Sequence, residues 1–441
     1  MEVLAMPLPE TPLQIFERTS IRELQLSRLL IFYISGGLFF MLLPGTFLGV
    51  WNLISISGRR AADSISPAWI QANGHAQVLG WIGSFILGIG YSIPKLRGGL
   101  KPFALGRAWF SGTLWMAGVL MRWAANVYLW HWRVLLPLSA AMELAAFLIF
   151  FRAVSQHKPQ DSGKAKRETW ALVVIAGTLG LLATLLLNLG ACLWLAFRSD
   201  GPAFPSNFDQ RFLILAAWGF MVPFVWGFNA KWLPVFLGTR PPHNRLLGAA
   251  AAVQVIGIAF ALAGFFRVTT ALLLGSSLLA MIALRIFGQP EKAAKTKGIH
   301  GSFPLFGRSA YVWLLIAAVL GIWAANATDP AGIWGASRHA LTVGFVAMMV
   351  FCIGQRVLPA FSGMRILFSP RLMLMGLLFL SLGCTVRVGA EVLTYQEIVP
   401  AAWGWLPYSA ILELAAVTAL AVNLVVTFLQ PPAVARSGSG P

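Results

Sequence analysis

The sequence predicts an all-α polytopic membrane protein, with twelve transmembrane helices arranged as three four-helix repeats around a pseudo-threefold axis. Three observations predict it. Hydrophobic residues make up 58% of the chain and charged residues only 11%, against about 25% charged in a soluble domain. Twelve apolar runs are long enough to cross a bilayer, which takes roughly 20 residues each. And one sequence template recurs three times along the chain.

The runs lie at 29–52, 74–94, 105–126, 134–153, 170–196, 211–233, 246–266, 269–287, 310–327, 339–360, 371–393 and 405–429. Only helices and closed barrels satisfy every backbone polar group in lipid, and runs this long and continuous are helices. Basic residues orient them. With the N-terminus inside, cytoplasmic segments hold 18 of the 33 Lys and Arg, outer loops 6, and spans 9. Arg18, Arg22 and Arg28 precede the first span, and Lys158, Lys164, Lys166 and Arg167 follow the fourth. This positive-inside bias places both termini in the cytoplasm. It accounts for the net charge of +18 without a nucleic acid as partner; the expected partner is the lipid bilayer. Glu2, Glu10 and Glu17 stand before the first span and no small-residue cleavage site follows it, so no removable signal peptide is expected. Cys192, Cys352 and Cys384 all lie within spans and show no paired spacing, which argues against a disulfide framework or a thiolate zinc site.

The template is clearest in "NGHAQVLGWIGSFILGIGYSIPKLRGG", from residue 73, and "RHALTVGFVAMMVFCIGQRVLPAFSG", from residue 338. Each has His-Ala, a glycine five residues after the histidine, and a closing Pro-x-[Leu/Phe]-x-Gly. The middle copy, "RFLILAAWGFMVPFVWGFNAKWLPVFLG" from residue 211, aligns through Gly80, Gly219 and Gly344, each followed by an aromatic residue. The next span carries Arg122, Arg267 or Arg387, and the last carries "SAAMELAAF" around Glu143 or "SAILELAAV" around Glu413. The middle copy has "SSLLAMIAL" there and no carboxylate. Matches in three successive spans, in order, point to duplication. The resulting divisions are a cytoplasmic segment 1–28, repeat one 29–154, a basic linker 155–168, repeat two 169–287, a basic linker 288–308, repeat three 309–429 and a disordered tail 430–441.

Ionisable groups inside a membrane are costly and are functional candidates by default. The topology puts His75, His339, Arg122, Arg267, Arg387, Glu143 and Glu413 in the outer half, with Arg338 beside His339, and Lys231 and Arg356 at inner span ends. Imidazole is a preferred axial ligand of haem iron. His75 and His339 on opposed helices at one depth therefore form a candidate bis-histidine haem site near the periplasmic face, with Arg122, Arg387 and Arg338 at the level of the propionates. The bland reading is that both histidines are interfacial residues. For the arginines and glutamates, two readings stand: Arg–Glu pairs that reduce the cost of each charge, or ligand-binding and proton-relay groups. No phosphate-cradling loop and no hydrolase constellation occurs.

Twelve spans in three arcs, with histidines heading spans 2 and 10, resemble the catalytic subunit of the haem–copper oxidases and nitric oxide reductases. "HAQVLGWIGSFILGI", "HALTVGFVAMMVFCIGQRVLPAFSG" and the ending "WLPVF" resemble the NnrS family of bacterial inner-membrane proteins. That resemblance implies a multi-pass protein of the nitric oxide or nitrosative stress response that binds haem b, with copper as a second cofactor. It implies His75 and His339 as iron ligands and, if the protein is an enzyme, an oxidoreductase acting on nitric oxide or passing electrons through haem from a redox partner. Spans 6 and 7 contain no histidine and Ser337 stands two residues before His339, so an oxidase-type copper centre lacks its ligands. The rival expectation is a permease for a small solute, lined by Arg122, Arg267, Arg387, Glu143 and Glu413.

Overall fold

A computed structural model describes residues 12–92, 103–155 and 168–432. Among these residues there is no β-strand; the chain is a bundle of long helices joined by short turns. Ten helices are long and apolar enough to cross a membrane, from Ile21–Arg59 to Pro400–Leu429. The two remaining expected spans, 74–94 and 105–126, lie in helical stretches, 67–92 and Leu105–Tyr128, that fall short of that apolar threshold. The physical reason lies in their polar residues: Gln71, Asn73, His75 and Gln77 on one, Arg107, Arg122 and Asn126 on the other. A helix packed inside a bundle need not be apolar all round, because protein rather than lipid covers its polar side.

Each template span changes helix type at one register. The α-helix Pro67–His75 passes into a π-helix, Ala76–Gly83; Ser206–Ile214 passes into Leu215–Met221; Ala331–His339 passes into Ala340–Ala347. The last α-helical residue is His75, Ile214 or His339, in each case five before the aligned glycine. π-Turns are rare and concentrate at functional sites. The template glycines are packed from outside their own helix. A Cβ on Gly80 would lie 2.8 Å from the Phe40 side chain, and one on Gly344 would lie 2.5 Å from Trp313. The closing glycines Gly238 and Gly363 have φ of 72° and 106°, left-handed values that end a helix without penalty to glycine. Gly98, their counterpart in the first copy, lies outside the described residues.

The last span of each copy repeats a further detail. Ser139, Ser276 and Ser409 each donate to the carbonyl three residues back, of Leu136, Leu273 and Leu406, at 2.8, 2.9 and 2.7 Å. All three serines are fully buried. In copies one and three the preceding helix packs a glycine against the template glutamate. A Cβ on Gly118 would meet Glu143 Cγ at 2.9 Å, and one on Gly383 would meet Glu413 Cγ at 3.0 Å.

The linker at 288–308 is hydrogen-bonded to neighbouring helix ends. Glu291 N–H donates to the Gly238 carbonyl at 2.8 Å, Lys295 N–H to that of Phe236 at 2.9 Å, and Arg356 to the carbonyl of Lys297 at 2.8 Å. Its backbone thus ties off the end of the 222–237 helix. Most of the linker at 155–168, and residues 433–441 of the expected disordered tail, fall outside the described residues. The expected N-terminal segment 1–28 overlaps a helix that begins at Pro12 and continues into the first span.

Candidate functional site

His75 ends its α-helical segment with its ring buried, and Nε2–H donates to Glu143 Oε1 at 2.7 Å. Glu143 is fully buried, and its other oxygen accepts from Asn188 Nδ2 at 3.4 Å. Asn188 Oδ1 in turn accepts from Arg122 Nη1 at 3.3 Å. Arg122 is 1% exposed, also donates to Cys192 Sγ, and lies 4.7 Å from the ring centre of Phe204. Hydrogen bonds thus link His75, Glu143, Asn188 and Arg122, so a buried carboxylate and a buried guanidinium share one network. Asn188 and Cys192 belong to the helix Thr169–Arg198.

The second histidine is braced differently. His339 Nδ1–H donates to Glu391 Oε2 at 2.9 Å, and Arg387 Nε donates to Glu391 Oε1 at 2.8 Å. Arg387 Nη2 reaches His339 Nε2 at 3.2 Å. A guanidinium has no acceptor, so Nε2 is the accepting nitrogen in that contact. Arg387 and Glu391 form an i,i+4 pair on the helix Pro370–Tyr395. The template glutamate of this copy, Glu413, takes no part. Its Oε1 is buried with no hydrogen-bond partner.

Both histidines line one cavity of about 1050 Å³, at the upper end of the roughly 300–1,000 Å³ usual for ligand sites. Arg122, Arg338, Glu413 and Asp209 line it too. Four of its lining residues carry a buried polar atom without a partner: Asn73 Oδ1, Trp81 Nε1, Arg122 Nε and Glu413 Oε1. Native proteins leave few such atoms, and these four belong to residues that line the same cavity.

The remaining candidates fall elsewhere. Arg387 is not on the cavity wall; its ion pair with Glu391 holds it behind His339. Arg267 is exposed, donating to the Ala325 carbonyl at 3.4 Å. Neither template glutamate bonds directly to the template arginine of its own copy, contrary to the simple Arg–Glu pairing: Glu143 takes His75 and Asn188, and Arg387 takes Glu391. Lys231 reaches Glu168 at 3.3 Å. Glu391, Asn188 and Asp209 are contributors that sequence reasoning passed over. Glu391 had a signal, its position four residues after Arg387.

Comparison with known proteins gives a family. A model described as a domain of unknown function, DUF8744, matches residues 180–424, more than half of the chain. The chain belongs to the DUF8744 family. No curated protein matches the DUF8744 chain. Among solved structures it is similar to a haem–copper terminal oxidase dimer determined by cryo-EM, with a TM-score of 0.55 and 13% identity, over 92% of this chain and 85% of that one. At that identity the likeness concerns the fold, a helical membrane bundle. Among the described residues, no group of three or more His, Cys, Asp or Glu is placed to hold a metal ion.

Proposed function

We propose that this protein is a membrane-embedded haem-binding protein of the nitric oxide or nitrosative stress response, with haem b in the shared cavity and His75 and His339 as the iron ligands. One observation carries the reading: two histidines from template-matched positions line one cavity, each with a ring nitrogen on a buried carboxylate. A metal-bound imidazole characteristically donates its other N–H to such a group, which fixes the tautomer and orients the ring. The oxidase-like fold supports it as well. The matched π-turns and serines support twelve spans in three repeats, and the charge bias supports a bacterial inner-membrane location with cytoplasmic termini and a cavity on the periplasmic side.

The donor set fits haem with two conditions. His339 offers iron its Nε2 only when Arg387 gives that atom up. His75 offers Nδ1, or Nε2 once its ring turns away from Glu143. Arg122, whose Nε is buried and unpaired on the cavity wall, and Arg338 are the cations for the propionates; Arg387 acts from behind His339. Bound haem supplies one-electron transfer, or nitric oxide binding where an axial position is open. The protein's own residues hold the rings by carboxylates, exclude water with the apolar helices, and set positive charge at one end of the cavity. Among the described residues, copper has no ligand group comparable to the two histidine–carboxylate pairs.

A permease for a small solute is the second reading, favoured by the unpaired polar atoms on the cavity wall. Protein purified in detergent after expression with haem supplied separates the two. The haem reading expects haem bound in a fixed ratio to the chain, and expects Arg267→Gln to retain all of it, since Arg267 lies away from the cavity. A colourless wild type supports the permease. Loss of haem in Arg267→Gln contradicts the assigned site.

A further inference from the structure

Glu143 and Glu413 occupy the same template position and the same local packing, each with its Cγ against a glycine of the preceding helix. Their electrostatic settings are opposite. Glu143 has both oxygens bonded and a guanidinium one residue away, through Asn188. Glu413 has a buried Oε1 with no partner. The charged and titratable groups that face it are Arg387, His339 and Glu391, with Cys384 on the same helix as Arg387. Their hydrogen bonds run among themselves: Arg387 and His339 both donate to Glu391, and Arg387 Nη2 lies against His339 Nε2. None of them bonds to Glu413 Oε1. Val346, Ala347, Leu380 and Val417 share its cavity wall, and they offer a carboxylate nothing. Burying an ionised carboxylate without a partner is far costlier than burying the neutral acid.

We propose that Glu413 is a proton-exchanging group of the cavity, holding its proton as a neutral carboxylic acid until a basic atom enters and takes it. The O–H bond of Glu413 breaks, the proton passes to that atom or to a water in the cavity, and the carboxylate is reprotonated from water; no electron moves. The ligand class implied is one that gains basicity inside the cavity, such as an anion produced there. Repeat one lacks this function because His75 and Asn188 occupy its glutamate. The inference is drawn from this chain's own residues, and its test does not require bound haem.

Infrared spectra of the purified protein test it. They are recorded in H2O and D2O at about pH 8, where ordinary carboxyl groups are ionised. The expected result is a carbonyl stretch of a protonated carboxylic acid in the wild type, shifted in D2O, absent from Glu413→Gln and retained in Glu143→Gln. Glu413→Asp should move the band without removing it, which guards against a misfolded glutamine variant. The proposal is overturned by a wild type without such a band, by a band that survives Glu413→Gln, or by a band insensitive to D2O, which would mean a proton sealed away from the cavity. Presence or absence of haem in the same sample reports separately on the function proposed above.

Discussion

Replacing Glu143 with alanine is expected to destabilise the protein by about 3–5 kcal/mol, the usual cost of removing one partner from a buried ionic network. Glu143 is fully buried and joins His75 to Asn188, which in turn holds Arg122. Alanine leaves an imidazole N–H and a buried guanidinium without their carboxylate. Glu143→Gln keeps the shape and one acceptor, so its loss should be closer to about 1 kcal/mol, that of a weakened hydrogen bond. Thermal or denaturant unfolding in detergent measures both. Equal stability of Glu143→Ala and wild type would show that the network contributes little and that His75 is not braced by it.

The second large effect is expected at Glu391. Glu391→Ala frees Arg387 and His339 together, and should cost about 3–5 kcal/mol by the same reasoning. Here the pair lies four residues apart on one helix, which allows a sharper test. The double variant Arg387→Leu with Glu391→Leu replaces both charges by apolar groups and should recover most of the stability, because buried ion pairs often exchange for well-packed apolar residues at little cost. His339 would then lose both its bracing carboxylate and its competing guanidinium. A double variant less stable than either single change would contradict the account of Arg387 as a group held by Glu391.

The contrast between these two networks shows what a sequence can carry. His75 and His339 were legible because a template repeats around them, and a repeat filters out residues that merely happen to be polar. The same logic concealed Glu391 and Asp209. Neither is part of the template: copy one has Asn126 where copy three has Glu391, and Asp209 of the middle copy aligns with Ile70 and Trp334 in the others. Asn188 and Cys192 were hidden for another reason. They reach Arg122 over a separation of 66 and 70 residues, and long-range packing leaves no periodic trace. The π-turns were likewise unreadable, since Ala76–Gly83, Leu215–Met221 and Ala340–Ala347 read as ordinary apolar helix. The helical membrane fold itself was plain from the apolar runs. The two helices below the apolar threshold, 67–92 and Leu105–Tyr128, are those that bring His75 and Arg122 to the cavity wall.

The most direct test of the haem site is the absorption spectrum of detergent-purified protein, oxidised and dithionite-reduced, for wild type, His75→Ala and His339→Ala. The account predicts a reduced-haem spectrum in the wild type that is lost or strongly altered in both variants. Both variants should remain folded, because in each the carboxylate keeps a second partner, Asn188 for Glu143 and Arg387 for Glu391. A wild type without haem, or a haem spectrum unchanged in both folded variants, would contradict it.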